Sequence, residues 1–277
     1  MGNMLKFECR RLFKKPSFYV CLGLCAAFII LNIVVMRIAF NETLRYYDSM
    51  SNFKERFAED FSPHMLVWNN VGVSMMSTIM AIFMGIFVCE DRVKGTIKNI
   101  YARGYSRTDV FLAKFIVANI TAILIFAAIT LVAYISGLVM FATKPFEVTP
   151  LKVNGVWLLV LGKLVAVLGV TALYFMLSEL IGTTGFSIAA NIFLPSIASA
   201  VLSIGLELIF FFATNGDFDY ATVAKIIEYW IYYLVSTGFT QEMKVEDYVG
   251  HLCASGGYVI LFGLLSWLIA RKKQVKN

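Results

Sequence analysis

Residues Glu90–Asp109, EDRVKGTIKNIYARGYSRTD, decide how the chain is organised, because they form a polar, patterned segment between two long apolar runs. Val93, Ile97, Ile100 and Tyr101 recur at helical spacing and predict one apolar stripe on a short helix. Arg92, Lys94, Lys98 and Arg103 take much of the remaining surface. Gly104 sits where a helix stops in a left-handed residue. Ser106 followed by Asp109 and an apolar run is a capping box for the next helix. A membrane span is therefore expected to end near Cys89, a short basic amphipathic helix to lie across its mouth, and another span to start near Ser106.

The 277 residues are 59% hydrophobic and 15% charged, with a mean hydropathy of +0.75. Soluble chains carry roughly 25% charged residues, so this is the composition of a membrane protein. A net charge of +6 says less than where the cations fall, and nucleic-acid binding is not the inference. The five cysteines are odd in number and lack a C-x-x-C pair; Cys21, Cys25 and Cys89 lie in apolar runs. The two histidines, His64 and His251, are too far apart in sequence to suggest zinc.

Residues 1–16 predict an amphipathic interfacial helix ended by Pro16, with Met4, Leu5, Cys9, Leu12 and Phe13 on one side and Lys6, Arg10 and Lys14 on the other. The first apolar run is too long for a signal-peptide core and reads as a retained span. Six spans are expected, at about 18–40, 67–89, 110–141, 156–178, 186–213 and 252–270. In the second, Gly72, Ser74, Ser77, Thr78 and Gly85 favour close helix packing. A tight turn is expected over Glu179–Gly185. Within the long loop 214–251, the aromatic stretch Ala224–Phe239 reads as a helix dipping into the outer interface. Fourteen Lys and Arg flank one side of the six spans and seven the other, which places both termini and the 90–109 segment in the cytosol.

No enzyme motif is present: no G-x-x-x-x-G-K-[ST], no H-E-x-x-H and no G-x-S-x-G. Two ionisable groups, Lys163 and Glu207, fall inside spans at depths that differ by roughly 5 Å at about 1.5 Å per residue. They are candidates for an intramembrane pair, with independent snorkelling as the alternative.

The amphipathic N-terminus, the six spans, and the residues Glu90-Asp91, Gly95-Thr96, Ser106-Arg107 and Lys114 resemble ABC transporter permeases of the type-2 export class. Members serving antibiotic resistance, lantibiotic immunity and peptide export in bacteria are the closest in style. The resemblance implies an all-α, type V exporter-like permease domain over the whole chain, in the plasma membrane. Residues 1–16 would be the connecting helix, 90–109 the coupling segment, and the aromatic stretch before span six an outer re-entrant element. It implies no catalysis and no cofactor in this chain, with ATP and Mg in a separate dimeric ATPase subunit, and a second permease copy or a related one. Glu90, Asp91, Arg92, Lys94, Gly95, Thr96, Lys98, Arg103, Ser106 and Arg107 would couple to that ATPase. The substrate would be a hydrophobic or amphipathic peptide, antibiotic or lantibiotic. A stand-alone secondary transporter and a non-transporting structural subunit are the alternatives.

Overall fold

The computed structural model describes residues 2–46, 67, 74–141, 153–213, 225–236, 239 and 244–272. These are helical, with no strand among them. The elements are α1 (Gly2–Lys14), α2 (Pro16–Tyr46), α3 (Ser74–Val93), α4 (Thr96–Ala102), α5 (Arg107–Phe141), α6 (Val153–Ile181), α7 (Thr184–Ala213), α8 (Ile231–Ser236) and α9 (Val245–Lys272).

Five helices are long and apolar enough to cross a membrane, over Pro16–Thr43, Arg107–Met140, Trp157–Ile181, Thr184–Ile209 and Val245–Lys272. The chain is a multi-pass membrane protein of α-helical class. The expected second span is represented by α3, whose last turn carries Glu90, Asp91 and Arg92. Residues 68–73 of that span, most of the loops expected at 41–66 and 142–155, and residues 214–224, 237–238 and 240–243 of the loop expected at 214–251 lie outside the described residues.

Pairings at one end of the bundle give the helix directions. Arg11, just before α2, meets Asp91 at the end of α3. Asp91 also meets Lys114 near the start of α5, and Arg92 meets Glu179 near the end of α6. Arg107 Nη1 lies 3.5 Å from the carbonyl of Arg271 in the last turn of α9. The long helices therefore alternate in direction, and α1 lies at the same end as the close of α9.

Sequence sets the boundaries. Pro16 opens α2 as its first residue, where the missing N–H costs nothing. Ser106 Oγ accepts from Asp109 N at 3.1 Å and donates to Asp109 Oδ2 at 2.7 Å, so Ser106 caps the helix as expected, with Asp109 meeting its hydroxyl. Gly104 takes φ 84° and donates to the Tyr101 carbonyl at 2.9 Å. The turn after α6 is tighter than expected. Its helix runs to Ile181, Gly182 takes φ 81°, and α7 starts at Thr184.

The short helix differs from expectation. α3 continues to Val93, and Gly95 at φ 68° breaks the chain before α4. Val93 therefore belongs to the preceding helix and is 62% exposed, off the stripe of Ile97, Ile100 and Tyr101. A left-handed glycine lets one polar segment hold two helix directions.

α3 and α7 cross closely at Gly85, where an added Cβ would fall 2.7 Å from Ile188 Cγ1 and 3.1 Å from Ile188 N. Asn191 Nδ2 donates to the Ala81 carbonyl at 3.1 Å and to Ser178 Oγ at 3.0 Å. Cys89 Sγ lies 3.1 Å from Ser187 Oγ. This seam is held by close backbones and small polar groups, as apolar surroundings require. The aromatic stretch is also tied inward. Ile231, Leu234, Val235 and Phe239 are buried, with Phe239 over Gly162 and Ile231 over Gly169 on α6. It packs into the bundle against α6.

Gly85→Val is expected to force the α3–α7 crossing apart and to lower the thermal unfolding midpoint in detergent by several degrees. Gly257→Ala, whose new Cβ meets nothing within 4 Å, is expected to leave that midpoint within about a degree. Equal midpoints for the two variants would remove the seam from the account.

Candidate functional site

Three consecutive residues at the end of α3 organise the polar end of the bundle. Asp91 is 3% exposed at its side chain and accepts from three other elements. Arg11 Nη1 of α1 reaches its two carboxylate oxygens at 2.5 and 2.6 Å. Lys114 Nζ of α5 lies 2.5 Å from Oδ2. Thr96 Oγ1, at the first position of α4, donates to Oδ1 at 3.1 Å. One carboxylate thus fixes α1, α4 and α5 against α3.

Its neighbours extend the network. Glu90 pairs with Lys15, with Arg11 at 3.3 Å and with Lys94 at 2.6 Å. Lys15 also stands over the Phe87 ring, 4.8 Å from its centroid. Arg92 pairs with the Glu179 carboxylate and donates through Nη1 to the Glu179 carbonyl at 2.9 Å, which ties α3 to the end of α6.

A further acid lies inside α1. Glu8 is fully buried, and Arg11 Nη1 approaches its Oε1 at 3.5 Å while Oε2 has no hydrogen-bond partner. Met4, Glu8 and Leu12, spaced by four, are the buried positions of α1, so the helix presents a carboxylate in the middle of its packed stripe. Met4 packs with Val110 and Ala113 of α5 and with Ile100, Tyr101 and Tyr105. α1 is therefore docked on the chain itself along Met4 and Leu12, while Phe7, Phe13 and the basic residues Lys6, Arg10 and Lys14 stay exposed.

The inward-facing charges of this cluster balance, Glu8, Glu90 and Asp91 against Arg11, Lys15 and Lys114, with the exposed Lys94 added at the rim. Burial raises the Glu90 carboxyl, but the contacts from Lys15 and Lys94 overcome it and hold it down at about 2. For Asp91, burial is likewise opposed and outweighed by Lys114 and Arg11, which hold it well below the usual carboxylate range. Glu8 goes the other way: burial pushes it up, only partly offset by Lys114 and Arg11. Burial lowers Lys15. The Arg11 guanidinium, disfavoured by burial, is raised by Asp91.

The sequence-predicted residues therefore divide in two. Glu90, Asp91 and Arg92 turn inward as the clamp. Lys94, Gly95, Thr96, Lys98, Arg103, Ser106 and Arg107 are at the surface. Among the described residues Lys98 and Arg103 have no ion-pair partner, so their charges point outward from a helix held by its other face. Elsewhere, Lys163 is 2% exposed on α6 whereas Glu207 is exposed on α7, and no ion pair joins them. Glu8, Arg11, Lys15 and Glu179 were missed as site residues. The one readable signal was Glu8 at the centre of an apolar stripe; the others meet partners about 80 residues away. No group of three or more His, Cys, Asp or Glu suited to a metal occurs among the described residues.

Residues 23–275 match the family described as a protein of unknown function, DUF2705. The chain belongs to that family. None of the curated proteins matches it.

Asp91→Asn is expected to destabilise the fold by about 3–5 kcal/mol, because Lys114 and Arg11 lose their buried counter-charge. In the Lys114→Met background the same change is expected to cost less, a coupling readable in a double-mutant cycle. The pH dependence follows from the signs. Glu90 and Asp91 are depressed, so their stabilisation is fully present above the ordinary carboxylate values of 4.5 and 3.8. It is lost as pH falls from there through about 2 for Glu90, and lower for Asp91. Glu8 is raised, so its ionisation opposes folding at neutral pH. Glu8→Gln is expected to be neutral or stabilising at pH 7, as measured by thermal unfolding, and the gain is expected to vanish by pH 4.

Proposed function

We propose that this member of the DUF2705 family is the six-span membrane subunit of an ATP-driven exporter, worked from the cytosol by a separate ATPase. The observation that carries the reading is the clamp at the end of α3. A chain with no nucleotide motif must receive work mechanically, and that requires a short rigid element whose displacement is not lost in local bending. α4 meets this need. Its first residue is bonded to Asp91, Asp91 is bonded to α1 and α5, and its neighbour Arg92 is bonded to the end of α6. A push on α4 is then a push on the ends of α3 and α5 together, which is what alternating access asks of the membrane helices.

Lys98 and Arg103 are the contact points offered to the partner, an acidic groove being the complement to two outward cations. Both termini and α4 are cytosolic in this reading, consistent with the excess of Lys and Arg on that side. ATP and Mg belong to the partner; a second permease copy or a related one completes the path, in a bacterial plasma membrane. The residues that resemble the type-2 export class, Asp91, Gly95-Thr96 and Lys114, are the same ones that build the clamp and the break before α4.

The test is co-expression of the full chain with its candidate ATPase subunit, reading co-purification and ATPase activity. The double substitution Lys98→Glu and Arg103→Glu is expected to reduce recovered complex at least tenfold while membrane insertion stays normal. Failure of any ATPase to bind the wild-type chain, or hydrolysis by the double variant at the wild-type rate, would leave a stand-alone transporter or a structural subunit as the better reading.

A further inference from the structure

At the end of the bundle away from the clamp lies a pocket of about 430 Å³ between α3, α6, α7 and the aromatic segment 227–235. Along α3, its lining residue Ser77 is roughly 20 Å from Asp91 at about 1.5 Å per residue. The volume falls within the range of small-molecule sites, roughly 300–1,000 Å³. Its walls combine Trp230, Tyr232 and Tyr233 with Ser196, Ser199 and Ser203, and among the described lining residues there is no Asp, Glu, Lys, Arg or His.

The α7 serines of those walls are one-sided in their hydrogen bonding. Ser196 donates to the Ile192 carbonyl at 3.1 Å, Ser199 to the Pro195 carbonyl at 2.8 Å and Ser203 to the Ser199 carbonyl at 2.7 Å. A hydroxyl has one hydrogen and two lone pairs, so each serine has used its donor on its own helix and keeps acceptor capacity for the pocket. Ser199 spends part of that on Trp230 Nε1, at 2.6 Å. Tyr232 is hydrogen-bonded to Tyr174 and lies 3.4 Å from Ser77 Oγ. An aromatic wall, uncharged among its described residues, with spare acceptors and committed donors on its serines favours a particular ligand. Along the serine face an acceptor-only group would meet spent donors, whereas an N–H or O–H finds free lone pairs; a carboxylate or a full cation would meet no opposite charge among the described lining residues.

We propose that this pocket binds an uncharged amphiphile whose polar groups donate hydrogen bonds, an amide- or hydroxyl-bearing molecule with an apolar body. As a binding site it stands on the pocket chemistry alone; as the site of a transported substrate it rests on the exporter reading.

The experiment uses the full chain in lipid nanodiscs without any ATPase, and equilibrium binding of three octanoyl derivatives of leucine. These are the primary amide, its fully N-methylated counterpart without N–H donors, and the free acid as the anion, each corrected for partition into empty discs. The amide is expected to bind saturably, at one site per chain and at least tenfold more tightly than either of the others. Ser196→Ala and Ser203→Ala, which remove an acceptor while keeping a good helix former, are each expected to weaken it severalfold with an unchanged unfolding midpoint. Equal retention of all three probes, tightest binding of the acid, or wild-type affinity in both serine variants would overturn the proposal. None of these results depends on an ATPase, so failure here is distinguishable from failure of the exporter reading.

Discussion

The polar end of the structure depends on the carboxylate of Asp91. A buried acid is costly unless its lone pairs and its charge are both answered. Here Arg11, Lys114 and Thr96 answer them from three different helices. Each partner is itself anchored: Arg11 also reaches Glu90, and Thr96 opens the helix that follows the Gly95 break. Removing the acid would leave two cations facing each other in a dry site, so the four helices that meet there have a strong reason to keep one arrangement.

That constraint also explains the character of α3. Its last turn holds Glu90, Asp91 and Arg92 in sequence, three charges that a lipid-facing helix end would have to hydrate. They are instead consumed by α1, α5 and the end of α6. The apolar part of α3 is packed on α7 through Gly85, Asn191 and Cys89. α3 is thus gripped along its length and ends in the clamp, whereas α7 shows broad apolar surface at Phe193, Ile197, Val201 and Ile204, as suits a helix facing lipid. An inner helix tied to the clamp thus stands beside an outer helix whose apolar surface suits lipid.

Much of this was legible in the sequence because it is local. Apolar run length marked the long helices, Ser106 and Asp109 marked the start of α5, and Gly104 marked a left-handed stop. Gly95 was placed in the segment but not recognised as a helix break, since an isolated glycine in a helical pattern does not announce its φ. The direction in which Glu90 and Asp91 face was illegible for a different reason. Their partners Arg11 and Lys15 are distant in sequence, and an acid pair beside basic residues reads equally well as a solvated surface. Glu8 carried a local clue, a carboxylate between Met4 and Leu12 on the packed face, and it was legible to anyone asking which helix position an apolar stripe can least tolerate. The acceptor-lined pocket was not legible at all, because it needs serines of α7 and rings some thirty residues later to meet.

Asp91 makes α1, α4 and the start of α5 one mechanical unit with the end of α3. Hydrogen–deuterium exchange of the full chain in nanodiscs, wild type against Asp91→Asn, tests it most directly. Loss of the carboxylate is predicted to raise exchange together in residues 2–14, 96–102 and 107–114, with protection across α6 and α9 retained. Increased exchange confined to residues 90–96, with α1 and the start of α5 as protected as in wild type, would contradict it.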